Sequence, residues 1–236
     1  MTTSFNYTAC LWKLNSVSLK DSKGKTRIGV DCLDILQGIT AIIGESGSGK
    51  TSLMNLLCAF EKPDSGSIQE FIPQKQGKLK LFWSPHNGGL WPFMTAIEHI
   101  NAVMPENVNY SAIEMLECFD IADKEKKFPG ELSRGECSRL SIARSLAADP
   151  SVVLMDEPLV NIDYPRRQKY WEKILSFIKK ENIYLVYTSH TPEQVENCAE
   201  KIIFVDNGKI LFNGSMQDLN NNDLFEKIQL YLRRKM

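Results

Sequence analysis

The sequence predicts an α/β fold with a parallel central sheet and an inserted α-helical subdomain. Three observations predict it. Short apolar runs at 39–43, 152–155 and 183–187 read as strands covered on both faces, the usual state of parallel strands. Each run is followed by a segment with helical spacing or a helix-start signal, the alternation that builds a parallel sheet. Between 84 and 145 strand-like runs are scarce, and two helical patterns stand between Pro92, Pro105 and Pro129.

Taken in chain order, the run 39–43 is rich in β-branched residues and ends in a Gly-rich loop. Leu53, Leu56, Leu57 and Phe60 then carry a helix. Helical patterns follow near 96–103 and 111–119. After the strand at 152–155, Pro165 is placed to open a helix running towards Lys180. After the strand at 183–187, Thr191 reads as an N-cap, Pro192 as the first helical residue and Gln194 as the return partner of a capping box. Residues 202–205 and 209–212 flank Asn207-Gly208 and read as a hairpin, and 224–232 has helical spacing.

Composition sets the bounds. The chain has 236 residues, 43% hydrophobic and 24% charged, which suits a folded chain that needs no disulfide or metal staple and excludes global disorder. It is expected to form one domain, 1–236, with 84–145 as the insertion. Twenty-eight basic residues face 29 acids, so no dedicated nucleic-acid binder is expected. The start, residues 1–5, lacks a basic stretch followed by an apolar core, so no secretory leader is expected. No apolar run approaches the ~20 residues of a membrane span. The six cysteines are far apart and form no Cys-x-x-Cys pair, so reduced cytosolic thiols are expected rather than a zinc site.

Gly44, Glu45, Ser46, Gly47, Ser48, Gly49, Lys50 and Thr51 fit G-x-x-x-x-G-K-[ST]. Glycines let the backbone curl into a nest of N–H groups, and the helix behind it adds its positive dipole end. Lys50 supplies a point charge to the β- and γ-phosphates, and the Thr51 hydroxyl can ligate Mg²⁺. The strand at 152–155 ends in Asp156 and Glu157, at the sheet edge where α/β folds bind ligands. There Asp156 would hold Mg²⁺ and Glu157 would polarise the attacking water. His190 follows the strand at 183–187, so three strand ends converge on one edge, and His190 is placed to reach the γ-phosphate.

Leu132-Ser133-Arg134-Gly135-Glu136 lies 24 residues before Asp156. With the phosphate loop, Asp156-Glu157-Pro158, Asp163 and His190 in that order and spacing, the chain resembles the ATP-binding cassette family from about Leu11 to Phe212. The resemblance implies a P-loop NTPase (RecA-like) core with an N-terminal antiparallel β region. It implies that Gly44 to Ser52 form Walker A, Ser52 included among the nucleotide contacts. Asp156 would be the Walker B aspartate, Glu157 the catalytic glutamate, Asp163 the D-loop aspartate and His190 the switch histidine. Ser133 and Gly135 would belong to the signature that covers ATP held on a second copy. The chain would then be an ATPase that uses ATP and Mg²⁺. It would pair as a homodimer or heterodimer and power separate membrane-spanning permease subunits from the cytoplasmic face. A soluble cassette ATPase acting elsewhere and a poorly hydrolysing regulatory subunit are the alternative readings.

Three departures bear on this. Arg134 and Glu136 stand where the family's signature has Gly and Gln, and Glu136 would be unfavourable near phosphates unless it turns away or finds a cation. The Q-loop glutamine, six residues before the proline of Leu90-Trp91-Pro92, is replaced by His86, a candidate metal contact; Trp83 takes the place if a gap is admitted. Lys20-Asp21 stands where an adenine-stacking aromatic is usual, and Trp12 reads as core. Residues 91–94 fit equally a docking patch or ordinary packing.

Overall fold

A computed structural model describes residues 9–189, 195, 198–220, 224, 226 and 228. It divides into two units, residues 1–73 with 185–236, and residues 74–184.

In the first unit β1 (Cys10–Lys20) and β2 (Thr26–Leu36) form a long antiparallel hairpin. Asp21 makes its turn by accepting from the backbone N–H groups of Lys23 and Lys25. β3 (Ile39–Ile43) is buried along its whole length and runs parallel to both β7 (Tyr184–Thr188) and β8 (Lys201–Asp206), which explains why four of its five residues are apolar. β4 (Ser65–Glu70) lies antiparallel to β1, and β8 turns back into β9 (Lys209–Gly214). The strand order here is β4-β1-β2-β9-β8-β3-β7. The β8–β9 turn is the expected Asn-Gly, with φ of 47° at Asn207 and 73° at Gly208. α1 (Lys50–Leu57) leaves β3 through the Gly-rich loop. Trp12, Leu14, Ile28, Leu33 and Ile35 are buried in the β1–β2 face, each worth about 1.5–3 kcal/mol of transfer free energy.

In the second unit β5 (Leu79–Ser84) pairs in parallel with β6 (Pro150–Asp156), whose every residue is buried. Between them lie α2 (Ala96–Asn101), α3 (Ala112–Cys118), two 3-10 turns and α4 (Arg134–Ala147). α2, α3 and α4 each open with a reciprocal cap: Thr95 with Glu98, Ser111 with Glu114, Ser133 with Glu136. α5 (Tyr164–Glu181) follows β6, carries the expected Pro165 in its first turn and is capped after Glu181 by Asn182 with φ 54°. Asp120 anchors α5 to the helices: it accepts from Lys169 (2.6 Å) and Tyr170 (2.9 Å) and pairs with Lys173 (3.1 Å). Burial alone would raise the Asp120 carboxyl, but these donors hold it far below the usual carboxylate range.

α6 (Met216–Asn220) follows β9 in the first unit. The helix start expected at 191–194 lies outside the described residues, as does most of the tail at 224–232. Among the described residues no helix is long and apolar enough to cross a membrane. Cys32 is exposed and the other five cysteines are half-buried, with no disulfide between them.

Candidate functional site

The phosphate loop of the first unit is built by three glycines with left-handed φ: 151° at Gly44, 80° at Gly47 and 112° at Gly49. Gly49 is also the cap of α1, and a Cβ there would stand 2.7 Å from the Arg27 carbonyl oxygen. A Cβ on Gly44 would stand 2.1 Å from the Val205 carbonyl oxygen. The loop is braced from behind. Gly208 N–H donates to Ser48 O (2.9 Å), and Gly29 N–H donates to Gly208 O (2.6 Å). The Asn-Gly turn and β2 therefore fix the loop's shape before any ligand arrives.

Lys50 is 5% exposed and its Nζ donates to the carbonyls of Gly44 (2.8 Å) and Glu45 (2.9 Å). The ammonium is thus held across the loop's own backbone. Ser48 is buried, and its Oγ has no hydrogen-bond partner among the described residues. An orphaned hydroxyl is unusual in a protein interior and fits a ligand rich in acceptor oxygens. The first turn of α1 adds N–H groups without intrahelical acceptors. Thr51 is exposed beside the loop, as are Glu45, Ser46 and Gly47, whereas Ser52 is buried. The residues present therefore suit a polyphosphate.

In the second unit Asp156 ends β6 and is 4% exposed. Glu157 follows with φ 50°, a left-handed conformation that costs a non-glycine residue about 1 kcal/mol or more. Its carboxylate Oε2 lies 3.7 Å from His86 Nδ1. His86, Asp156, Glu157, Arg134 and Asn161 line one cavity of about 520 Å³. Among the described residues no three His, Cys, Asp or Glu side chains cluster as a protein-built metal cage. Hydroxyl and carboxylate oxygens such as those of Thr51 and Asp156 suit Mg²⁺, which is usually shared with substrate phosphates.

Ser133 caps α4. Its Oγ accepts from Glu136 N–H (3.2 Å), and Glu136 Oε2 accepts from Ser133 N–H (2.7 Å). The Ser133 N–H and then its side chain hold the Glu136 carboxyl below its usual range, against the smaller effect of burial. The unfavourable charge expected at Glu136 is thereby answered: it is turned back onto its own helix start. Arg134 is exposed. Gly135 packs closely on the loop after β6, where a Cβ would meet Asn161 O at 3.2 Å. Asp163 is the residue before α5, and its carbonyl accepts from Arg166 and Arg167.

The structure thus gathers Gly44 to Ser52 in the first unit and His86, Asp156, Glu157 and the start of α4 in the second. His190 lies outside the described residues. Trp83 sits within β5, opposite Leu154, and Trp12 is buried, as core. Of the apolar segment 91–94, Phe93 is 70% exposed while Trp91 is half-buried.

Sequence reasoning missed the residues that fix the segment carrying His86. Arg144, 3% exposed, donates to Gly89 O and Gly88 O (both 2.8 Å) and lies over the rings of Trp91 and Phe82. Burial lowers its guanidinium to about 10. Ser141 donates to Gly88 O (2.9 Å), and His99 accepts from Trp91 N–H (2.8 Å). The one available signal was an arginine inside the otherwise small and apolar stretch 140–148, since a buried arginine must have acceptors.

Comparison with known proteins follows the same lines. Residues 35–160 match the family model described as ABC transporter. The molybdenum import ATP-binding protein ModC of Haemophilus influenzae is 30% identical over 205 residues, 80% of this chain and 57% of that protein. Its namesake from Photobacterium profundum is 26% identical over 216 residues, 86% of this chain and 60% of that protein. The chain thus spans less than two thirds of the length of these curated relatives. Among solved structures, an ATP-binding cassette captured as a dimer in a post-hydrolysis state with ADP and phosphate aligns with a TM-score of 0.73 at 21% identity, covering 87% of this chain and 99% of its own. An ATP-binding subunit of an ABC transporter aligns at 0.72 and 16% identity, covering 94% of each chain. These two likenesses establish the fold as that of an ATP-binding cassette, hence a P-loop NTPase fold.

Proposed function

Because the chain belongs to the ABC transporter family, we propose that it is the ATP-binding and ATP-hydrolysing subunit of an importer whose membrane-spanning subunits are separate chains. The observation that carries this reading is the braced phosphate loop, with Lys50 Nζ held on the Gly44 and Glu45 carbonyls and the Ser48 hydroxyl buried without a partner among the described residues. Both groups would turn to the phosphates of ATP, and Glu45, Ser46, Gly47, Gly49, Thr51 and Ser52 would complete the cradle. Thr51 and Asp156 would hold Mg²⁺, with His86 as a further contact. The ion would neutralise charge on the β- and γ-phosphate oxygens. Glu157 would orient the attacking water and accept its proton, and His190 would contact the γ-phosphate.

The Ser133 hydroxyl accepts from the Glu136 N–H, and its own hydrogen can go to a phosphate oxygen on a second copy. Gly135 N–H, in the first turn of α4, has no intrahelical acceptor and can join it. Asp163 would serve the same dimer face. ATP would close two copies head to tail, and hydrolysis would release them. Residues 84–145 would act as the helical subdomain that passes this motion to a permease at the cytoplasmic face of the membrane. The relatives named for molybdenum import make molybdenum the first cargo to try. The reading as a poorly hydrolysing regulatory subunit loses one support, since Glu136 is engaged in the helix cap.

Purified protein with Mg-ATP tests this. Turnover per chain should rise with protein concentration, because two copies make each site, and Glu157→Gln should accumulate an ATP-bound dimer by light scattering. Turnover per chain independent of concentration, with a monomeric Glu157→Gln protein in ATP, would refute the dimer mechanism.

A further inference from the structure

His99 sits in α2 with no exposed surface. Its Nδ1 lies 2.8 Å from Thr95 O, and its Nε2 accepts from Trp91 N–H at 2.8 Å. A backbone N–H can only donate, so Nε2 keeps its lone pair and the single ring proton sits on Nδ1, donated to Thr95 O. The imidazole stacks on the Trp91 indole, with centroids 5.5 Å apart and an 18° angle between planes. From α4, Arg144 lies 4.8 Å from the same indole and grips Gly88 and Gly89. The loop that begins at His86 is therefore held at two points, by Arg144 in its middle and by His99 at its end.

We propose that His99 is a positioning residue: it ties the loop bearing His86 to α2 through the Trp91 amide, and a second ring proton breaks that tie. In the doubly protonated ring an Nε2–H faces the Trp91 N–H, donor against donor, on an imidazole that has no exposed surface. The charged groups facing the ring are Arg144 from α4 and Glu98 from its own helix. Burial, first, and Arg144 disfavour the second proton; Thr95 O and Glu98 favour it; the balance lies below the ordinary imidazole value. The neutral, tied form is thus the resident one at neutral pH, and acid releases the loop. The effect on turnover rests on the proposed role of the site beside Glu157. The tie itself does not.

Hydrogen exchange of the Trp91 amide in the full chain, corrected for the intrinsic pH dependence of exchange, tests the tie from about pH 8 to about pH 5. The second ring proton removes the acceptor of the Trp91 N–H, so Trp91 protection should fall towards the acid end of the range. The Met115 amide of α3, bonded to Ser111 O, should stay protected and exclude global unfolding. His99→Gln offers an acceptor and a donor without titrating, and its Trp91 profile should be flat. ATP turnover by wild type should lose kcat with little change in KM over the acid limb, more than His99→Gln does. Equal protection of wild-type Trp91 at both ends of the range overturns the tie, as does the same acid loss in His99→Gln. A pH-dependent amide beside turnover profiles identical in wild type and variant overturns the positioning role. Should His99→Gln not fold, the wild-type exchange profile decides by itself. Should wild type show no turnover at all, the functional reading falls while the exchange result still stands or fails alone.

Discussion

One added methyl group at position 49 tests the phosphate loop. Gly49 has φ 112°, and its Cβ would meet the Arg27 carbonyl oxygen at 2.7 Å, so backbone strain and a contact with rigid backbone act together. Gly49→Ala should lower stability by about 1–3 kcal/mol, and it should weaken ATP binding at least about tenfold because the displaced turn carries Lys50. Gly130→Ala is the control: nothing lies within 4 Å of its Cβ, and its melting should stay within about 0.5 kcal/mol of wild type. Thermal melting with titration of a fluorescent ATP analogue reads both. A Gly49→Ala protein that binds like wild type would mean the loop reshapes freely. The loop was legible in the sequence because its chemistry is local: glycines, lysine and hydroxyl stand within eight residues. His99 and Arg144 were not, because their partners, Trp91 N–H and two glycine carbonyls, are backbone groups that any sequence contains.

α4 joins two roles at its first residues. Ser133 is both the cap of the helix and the proposed contact to a second copy's nucleotide, and the roles separate by substitution. Ser133→Ala removes the acceptor for Glu136 N–H and should cost about 1 kcal/mol. Ser133→Asn keeps a capping side chain, so it should melt within about 0.5 kcal/mol of wild type and still lose turnover. Glu136 makes the cap sensitive to pH. Its folded carboxyl lies below the ordinary carboxylate value of 4.5, so its stabilisation is complete above that value and is lost as pH falls through the folded one. Glu136→Gln should therefore melt below wild type at neutral pH, with the gap closing below about pH 4. A gap that stays constant would place Glu136 outside the cap. The Ser-x-x-Glu spacing of this cap was present in the sequence, but the same residues read as a departure from the family's signature, and that reading hid it. Strands β6 and β7 were legible because burial on both faces makes their middles, residues 152–155 and 184–187, apolar. β4 was not: five of its six residues are exposed, and Ser65-Gly66-Ser67 gives no alternation to follow.

At the scale of the whole molecule, the proposed chemistry divides between residues that hold nucleotide on their own chain and residues that serve another. Lys50 belongs to the first kind and Ser133 to the second. That proposed division rests on the order of motifs along the chain, whereas how Glu136 is engaged in the helix cap and how the His86 loop is held required coordinates. It also makes a prediction that neither residue makes alone. Lys50→Ala should abolish every site in its own dimer, and so should Ser133→Arg, the first by losing the phosphate contact and the second by filling its place. In a mixed pair, the two defects fall in the same site. The other site has Lys50 from the Ser133→Arg chain and Ser133 from the Lys50→Ala chain, both intact. An equal mixture forms mixed pairs half the time, each with one good site of two, so it should recover about one quarter of wild-type turnover if pairing is random and the sites act independently. A sharp dependence of one site on the other would lower that figure, and doubling the concentration should raise the recovered activity more than twofold while pairing is incomplete. If two separately inactive proteins gain nothing at any ratio or concentration, while a tagged pull-down in ATP shows that mixed pairs form, each copy hydrolyses with its own residues and Ser133 is only a helix cap.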